Sequence, residues 1–137
     1  MIQILKSIYD QMISHAKIGY PNEACGILGG PANGPADHFF AMRNVDEASI
    51  SYFMDPKEQL QAFKRMRELG VDMKGIFHSH VASEAFPSQK DVRLAFYSNV
   101  SYLIVSLSDL ENPVLRSFQI QNEKVIEEEI KIVGHAK

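Results

Sequence analysis

Apolar positions along the chain switch between a helical and an alternating period. Leu5, Ile8, Met12 and Ala16 recur at helical spacing, so Leu5 to Gly19 predicts an amphipathic helix that Gly19 and Pro21 end. A short strand at Met1 to Ile4 precedes it. Ala24 to Leu28 is a short apolar run closing on Gly29-Gly30-Pro31 and leading into a loop with Asn33-Gly34-Pro35, which predicts a buried strand and a turn. His38 to Val45 and Ser51 to Met54 mix aromatic and alternating residues between polar breaks, and predict further strands.

Asp55-Pro56-Lys57-Glu58 is a helix start: Asp can cap, Pro suits the first turn, and Glu stands three residues after the cap. That helix should run to about Leu69, where Gly70 stops it. Met73 to Phe77 then predicts a buried strand with His78-Ser79-His80 at its end. Ser88 to Tyr97 reads as a helix capped by Ser88, Tyr102 to Leu107 as a strand, and Asn112-Pro113 as a turn. Two closing strands, Val114 to Ile120 and Val125 to Val133, complete the pattern. No internal repeat or linker divides it, so residues 1–137 are expected to form a single mixed α/β domain.

Composition narrows the function. At 45% hydrophobic, 137 residues can bury one core but not two ordinary ones. A net charge of -3 offers no basic stripe for nucleic acid, and no apolar run approaches the roughly 20 residues that span a bilayer. Met1 to Met12 carries Lys6 and Asp10 within its apolar pattern and lacks the centre of a signal peptide, which leads us to expect a cytoplasmic protein. Cys25 is the lone cysteine and cannot form an internal disulfide, in keeping with a reducing compartment.

The chemistry gathers around the histidines. In a strand, alternate side chains share a face, so His78 and His80 can converge on one ion while Ser79 points away. Asp91, in the first turn of the helix after Ser88, can reach back as a third ligand. Two nitrogens and one carboxylate leave a fourth position open, the arrangement of a catalytic zinc rather than a structural one. Such a site needs a nearby carboxylate to take and return a proton. Glu23, directly before the buried strand at Ala24, is the candidate.

These residues resemble a known family. Glu23, then His78-Ser79-His80, seven residues, Ser88, two residues and Asp91 are similar to the signature of the JAMM (MPN+) metallopeptidases. Pro21-Asn22-Glu23-Ala24-Cys25-Gly26, Gly75-Ile76-Phe77-His78, Pro87-Ser88 and Tyr102-Leu103-Ile104-Val105-Ser106 resemble its recurrent segments in the same order. The resemblance implies the MPN, cytidine-deaminase-like fold, a mixed sheet or partial barrel flanked by helices. It also implies a Zn2+ peptidase that cuts peptide or isopeptide bonds after the C-terminus of ubiquitin-like proteins, with Glu23 moving the proton and Ser88 steadying the oxyanion. The compact chain resembles the small prokaryotic members, which act on ubiquitin-like sulfur-carrier proteins or their conjugates. A homodimer is compatible with the pattern. One departure is Val81, where many members have proline.

Plainer readings stand beside these. Two histidines at this spacing can be satisfied polar groups at a sheet end. Ser88-Gln89-Lys90-Asp91 fits a capping box, which by itself accounts for Ser88. Cys25 could line the metal site or simply pack in the core, and Glu84 could be a substitute ligand or a solvated loop acid. His15, His38 and His135 have no partner at ligand spacing. Glu127-Glu128-Glu129 reads as a charged closing edge. Two other functions compete: a cupin, whose His-x-His spacing with a following Glu84 is matched but whose all-β barrel and glycines are not, and a non-catalytic MPN scaffold, which would lack the full ligand set.

Overall fold

The computed structural model describes residues 1–134, so His135 lies outside the described residues. Among the described residues eight strands and three helices follow in the order β1 (Ile2–Leu5), α1 (Lys6–Gly19), β2 (Cys25–Gly30), β3 (His38–Met42), α2 (Pro56–Leu69), β4 (Asp72–His80), α3 (Gln89–Arg93), β5 (Ser101–Ser106), β6 (Val114–Gln121), β7 (Lys124–Glu128) and β8 (Ile130–Val133).

Six strands make one mixed sheet in the order β3-β2-β4-β5-β6-β7, in which only β4 and β5 run parallel. β1 and β8 form a separate parallel pair. The alternation of each strand sorts its residues between two apolar layers. On one face Ile4, Ile8, Met12 and Ala16 pack with Leu28, Phe77, Leu103 and Val105; on the other, Ala62 and Met66 of α2 pack with Ile27, Ile76, Tyr102, Ile104 and Phe118. Helices therefore cover both faces, which rules out the all-β barrel of a cupin. Among the described residues no helix is long and apolar enough to cross a membrane.

Local chemistry sets the boundaries. Asp55 caps α2 by accepting from the Lys57 and Glu58 amides at 2.9 and 3.4 Å. Gly70 ends it at φ 70°, a left-handed conformation that glycine adopts without a Cβ penalty. Glu58 does not close a capping box; its carboxylate takes the Arg43 amide instead.

Several expected bounds shift. β4 extends through both histidines, because β5 pairs alongside it as far as His80 opposite Ser106. Ser51 to Met54 is not a strand: only Met54 bridges, to Asn44, and the Asn44 amide holds the Ser51 carbonyl and the Phe53 amide in place of a ladder. The helix expected to reach Tyr97 stops at Arg93, since α3 buries none of its residues and Leu94, Phe96 and Tyr97 stay exposed. Val125 to Val133 is two strands. After β7 the chain leaves the sheet at Glu129, whose carbonyl takes the Ile2 amide, and β8 joins β1. β7 is the charged edge strand expected, though Glu128 is drawn inward to Ser117 and Gln119. The ladder between β2 and β4 slips by one residue: Leu28 faces Gly75 but Gly29 faces Met73, leaving Lys74 as a bulge.

Candidate metal centre

Strand register brings the first two candidate ligands together. His78 and His80 share the α2-side face of β4, and both are buried. Their Nε2 atoms lie 3.1 Å apart. Asp91 enters from α3, with Oδ2 at 3.2 Å from His78 Nε2 and 3.0 Å from His80 Nε2. Its carboxylate is aimed by the capping box: the Ser88 amide donates to Oδ2 at 2.9 Å, and Ser88 Oγ accepts from the Asp91 amide at 3.1 Å. Among the described residues these three form the one cluster of histidine, cysteine or carboxylate groups able to hold a metal ion.

The donor set fits a tetrahedral ion. Two ligand atoms each about 2.0–2.1 Å from zinc lie roughly 3.3 Å from one another, close to the spacings seen here. Tautomer chemistry points the same way. His80 Nδ1 lies 2.8 Å from the Glu84 carbonyl, which can only accept, so Nδ1 carries the proton. Neutral, His80 turns its Nε2 lone pair toward Asp91 and can ligate an ion held between them; doubly protonated, it donates to the carboxylate instead. Burial works against charge in all three groups. Even so, the hydrogen bonds of both histidines and the Ser88 amide hold Asp91 far below the usual carboxylate range. His78 is pushed down by burial; His80, also resisted by burial, is raised by Asp91 and the Glu84 carbonyl.

Glu23 is brought to the same place by backbone pairing. The Ala24 amide donates to Ser79 Oγ at 2.8 Å and the Ser79 amide to the Ala24 carbonyl at 3.0 Å. Asn44 and Ala48 hold Glu23 itself through its carbonyl and amide. The side chain is buried, and desolvation raises its carboxyl to about 7 despite the opposing pull of His80. Glu23, His80, Ser83 and Ser88 together line a cleft of about 290 Å³. On the same face, beside His78, Ile76 and Tyr102 floor an apolar pocket of about 260 Å³ lined also by Tyr52, Phe53, Leu94 and Phe96.

Residues 5–121 match the family described as prokaryotic homologs of the JAB domain. The chain belongs to that family. It is thus a small prokaryotic member of the JAMM/MPN group, and its mixed sheet is the MPN fold shared with solved JAB1/MPN-domain proteins. The chain is 35% identical to the CysO-cysteine peptidase of Mycobacterium tuberculosis, over 97% of this chain and 92% of that one. It is 33% identical to a desampylase of Haloferax volcanii over 71% of this chain and 74% of that one. A Desulfitobacterium hafniense protein of known solution structure is 43% identical, with a TM-score of 0.90 covering 98% of this chain and 94% of the other.

Within this JAB-family site, other expectations resolve individually. Cys25 pairs opposite His78 but is fully buried, its thiol against the Met42 carbonyl and pushed up to about 12 by burial, so it packs rather than ligates. Glu84 contributes its backbone carbonyl; its side chain is exposed and outside the cluster. Val81 does not spoil the loop, which is pinned by Ser106 donating to the Ser83 carbonyl and by buried Ala85 and Pro87. His15 and His38 are engaged elsewhere, with the Cys25 carbonyl and with Asp37. Sequence reasoning missed Tyr52, whose ring stacks on His78 at 4.6 Å and 22°, and the grip of Ser79 on the Glu23 strand. A serine at a position flanked by buried histidines was the available signal for the second; nothing in the spacing pointed to the first.

Proposed function

We propose that this chain is a single-domain zinc peptidase that hydrolyses the bond after the C-terminus of a small ubiquitin-like or sulfur-carrier protein. His78, His80 and Asp91 are its zinc ligands, Glu23 its proton carrier and Ser88 its oxyanion donor. The reading rests on one observation: three ligand atoms within 3.2 Å of one another beside a buried carboxyl raised to about 7. The peptidase relatives named above and the family to which the chain belongs support the substrate class. Buried Cys25, which has no disulfide partner in the chain, supports a cytoplasmic setting.

Zinc at these ligands supplies a Lewis acid for the scissile carbonyl and makes a water nucleophile available near neutral pH. The protein does the remaining work. With its carboxyl poised near neutrality, Glu23 takes a proton from the attacking water and returns it to the leaving amine. Ser88 Oγ accepts from the Asp91 amide, so its own hydrogen stays free to donate where negative charge develops on the carbonyl oxygen. Capping and catalysis thus use different parts of one hydroxyl. Along β4 the order is apolar pocket at Ile76, ligands at His78 and His80, then the polar cleft that His80 shares with Glu23. The leaving amine belongs in the cleft with its proton donor, which leaves the apolar pocket to the acyl side of an extended tail.

The test is to load the protein with zinc, incubate it with small ubiquitin-like proteins extended past their C-terminal glycines, and follow cleavage by mass. Cleavage at that glycine in wild type, with loss of turnover but not of metal in Glu23→Gln, is expected. No cleavage across the panel overturns the substrate class, and full activity in Glu23→Gln removes Glu23 from its role.

A further inference from the structure

His80 is held by a carbonyl that belongs to a loop, and the structure shows what holds the loop. Between His80 and Ser88 the chain crosses the ligand-bearing face of the sheet. The Glu84 carbonyl accepts twice, from His80 Nδ1 and from the Phe86 amide, each at 2.8 Å. The position of Phe86 therefore sets the position of the group that fixes the imidazole. The Phe86 ring meets Phe118 edge-on at 5.3 Å, and the Arg116 guanidinium lies 5.8 Å from the Phe86 centroid and 5.4 Å from that of Phe118. Glu127 on β7 grips the guanidinium with both oxygens, at 2.9 and 2.6 Å, which fixes it beside the two rings. Register completes the picture: His78 faces Ile104 and Ile104 faces Arg116, so the arginine sits in the same row of the sheet as a ligand, two strands away.

We propose that Arg116 is a positioning residue for the metal centre: by clamping Phe86 it holds the Glu84 carbonyl that keeps His80 in the Nδ1–H tautomer, with Nε2 free for the ion. The inference rests on His80 being a ligand. It does not depend on the substrate. Arginine suits the task better than lysine, because a planar fork can stack on a ring while bonding a carboxylate in two places. Ser106, Ala85 and Pro87 still anchor the loop when Arg116 is lost, so the expected effect is a looser site and not a collapsed one.

Two readouts test this without any turnover measurement. Zinc affinity is measured by competition with a chelating dye, and the His80 tautomer by nitrogen NMR of the metal-free protein at a pH where the ring is neutral. Arg116→Met is expected to weaken zinc binding about tenfold, the scale of lost outer-sphere support, and to turn the single His80 tautomer into a mixture. Arg116→Lys should fall between it and wild type. Phe86→Leu should match Arg116→Met, and the double variant should lose no more than either alone, because both act through one contact. Unchanged zinc affinity and an unmoved tautomer in folded Arg116→Met or Phe86→Leu would overturn the proposal. So would losses that simply add. A lowered melting temperature with the tautomer intact would reduce Arg116 to a purely structural residue. If wild type binds no zinc, the ligand assignment itself fails and takes this proposal with it, an outcome distinct from the unchanged variants above.

Discussion

The candidate metal centre joins two regions built on opposite principles. Its histidines come from a nine-residue strand, paired on both sides and buried over its last six residues. Its aspartate comes from a five-residue helix with no buried residue, placed by a serine and two backbone amides. The two histidines are held by long-range pairing and a packed core; the aspartate is held by a local motif that the chain can form within four residues. Substitutions should therefore separate affinity from stability on one side and couple them on the other.

The largest effect is expected at His78. His78→Ala should abolish tight zinc binding, by roughly a thousandfold or more. It should also lower stability by about 2 kcal/mol through the hole left under Tyr52, as checked by metal titration and denaturant melts. Asp91→Asn, which keeps an acceptor for the Ser88 amide, should lose metal affinity while its melting midpoint falls less than that of His78→Ala. An equal loss of stability in both variants would erase the contrast.

Next comes turnover. Glu23→Gln should lower kcat about 10²–10⁴-fold with zinc content unchanged. Ser88→Ala should lower kcat roughly 10²-fold and stability by about 1 kcal/mol; Ser88→Asn, itself a good cap, should recover the stability and not the rate. On the strand side, Ser79→Ala leaves the buried Ala24 amide without its side-chain acceptor and should cost about 1–3 kcal/mol, read from unfolding midpoints.

A pH dependence comes last. In the folded, metal-free protein Glu23 holds its proton up to about 7, against an ordinary value of 4.5. Between those values the folded state binds more protons than the unfolded one, so this residue's contribution to stability is present at low pH and is lost as pH rises through about 7. Metal-free Glu23→Gln should thus exceed wild type by about 1–3 kcal/mol near pH 8, and the difference should vanish near pH 4. A difference that grows on acidification would contradict the assigned burial.

The histidine pair was legible because a strand's period is short and rigid: two residues apart means one face. Asp91 was legible as well, since a capping box is written in adjacent residues. What escaped the sequence depends on backbone atoms or on distant partners. The Glu84 carbonyl has no residue-type signature, and any side chain could carry it. Tyr52 reaches His78 from a loop that Asn44 organises through hydrogen bonds, where alternation had suggested a strand. The truncation of α3 at Arg93 reflects a missing surface to pack against, which propensity does not record. Glu23 falls between: its residue type suggested a role, but its approach to the ligands depended on β2 pairing beside β4, fifty residues later in the chain.

That pairing contains a slip joint. Because Lys74 stands out of the ladder between β2 and β4, the strand is in one phase at Met73 and in another from Gly75 to His80. A change of one residue in the short connection after α2 can be taken up at this bulge, before it reaches the imidazoles. The alignment of Glu23 with His80 is in this sense insulated from the length of the turn that feeds the strand, and an insertion there should be borne far better than one between Gly75 and His80.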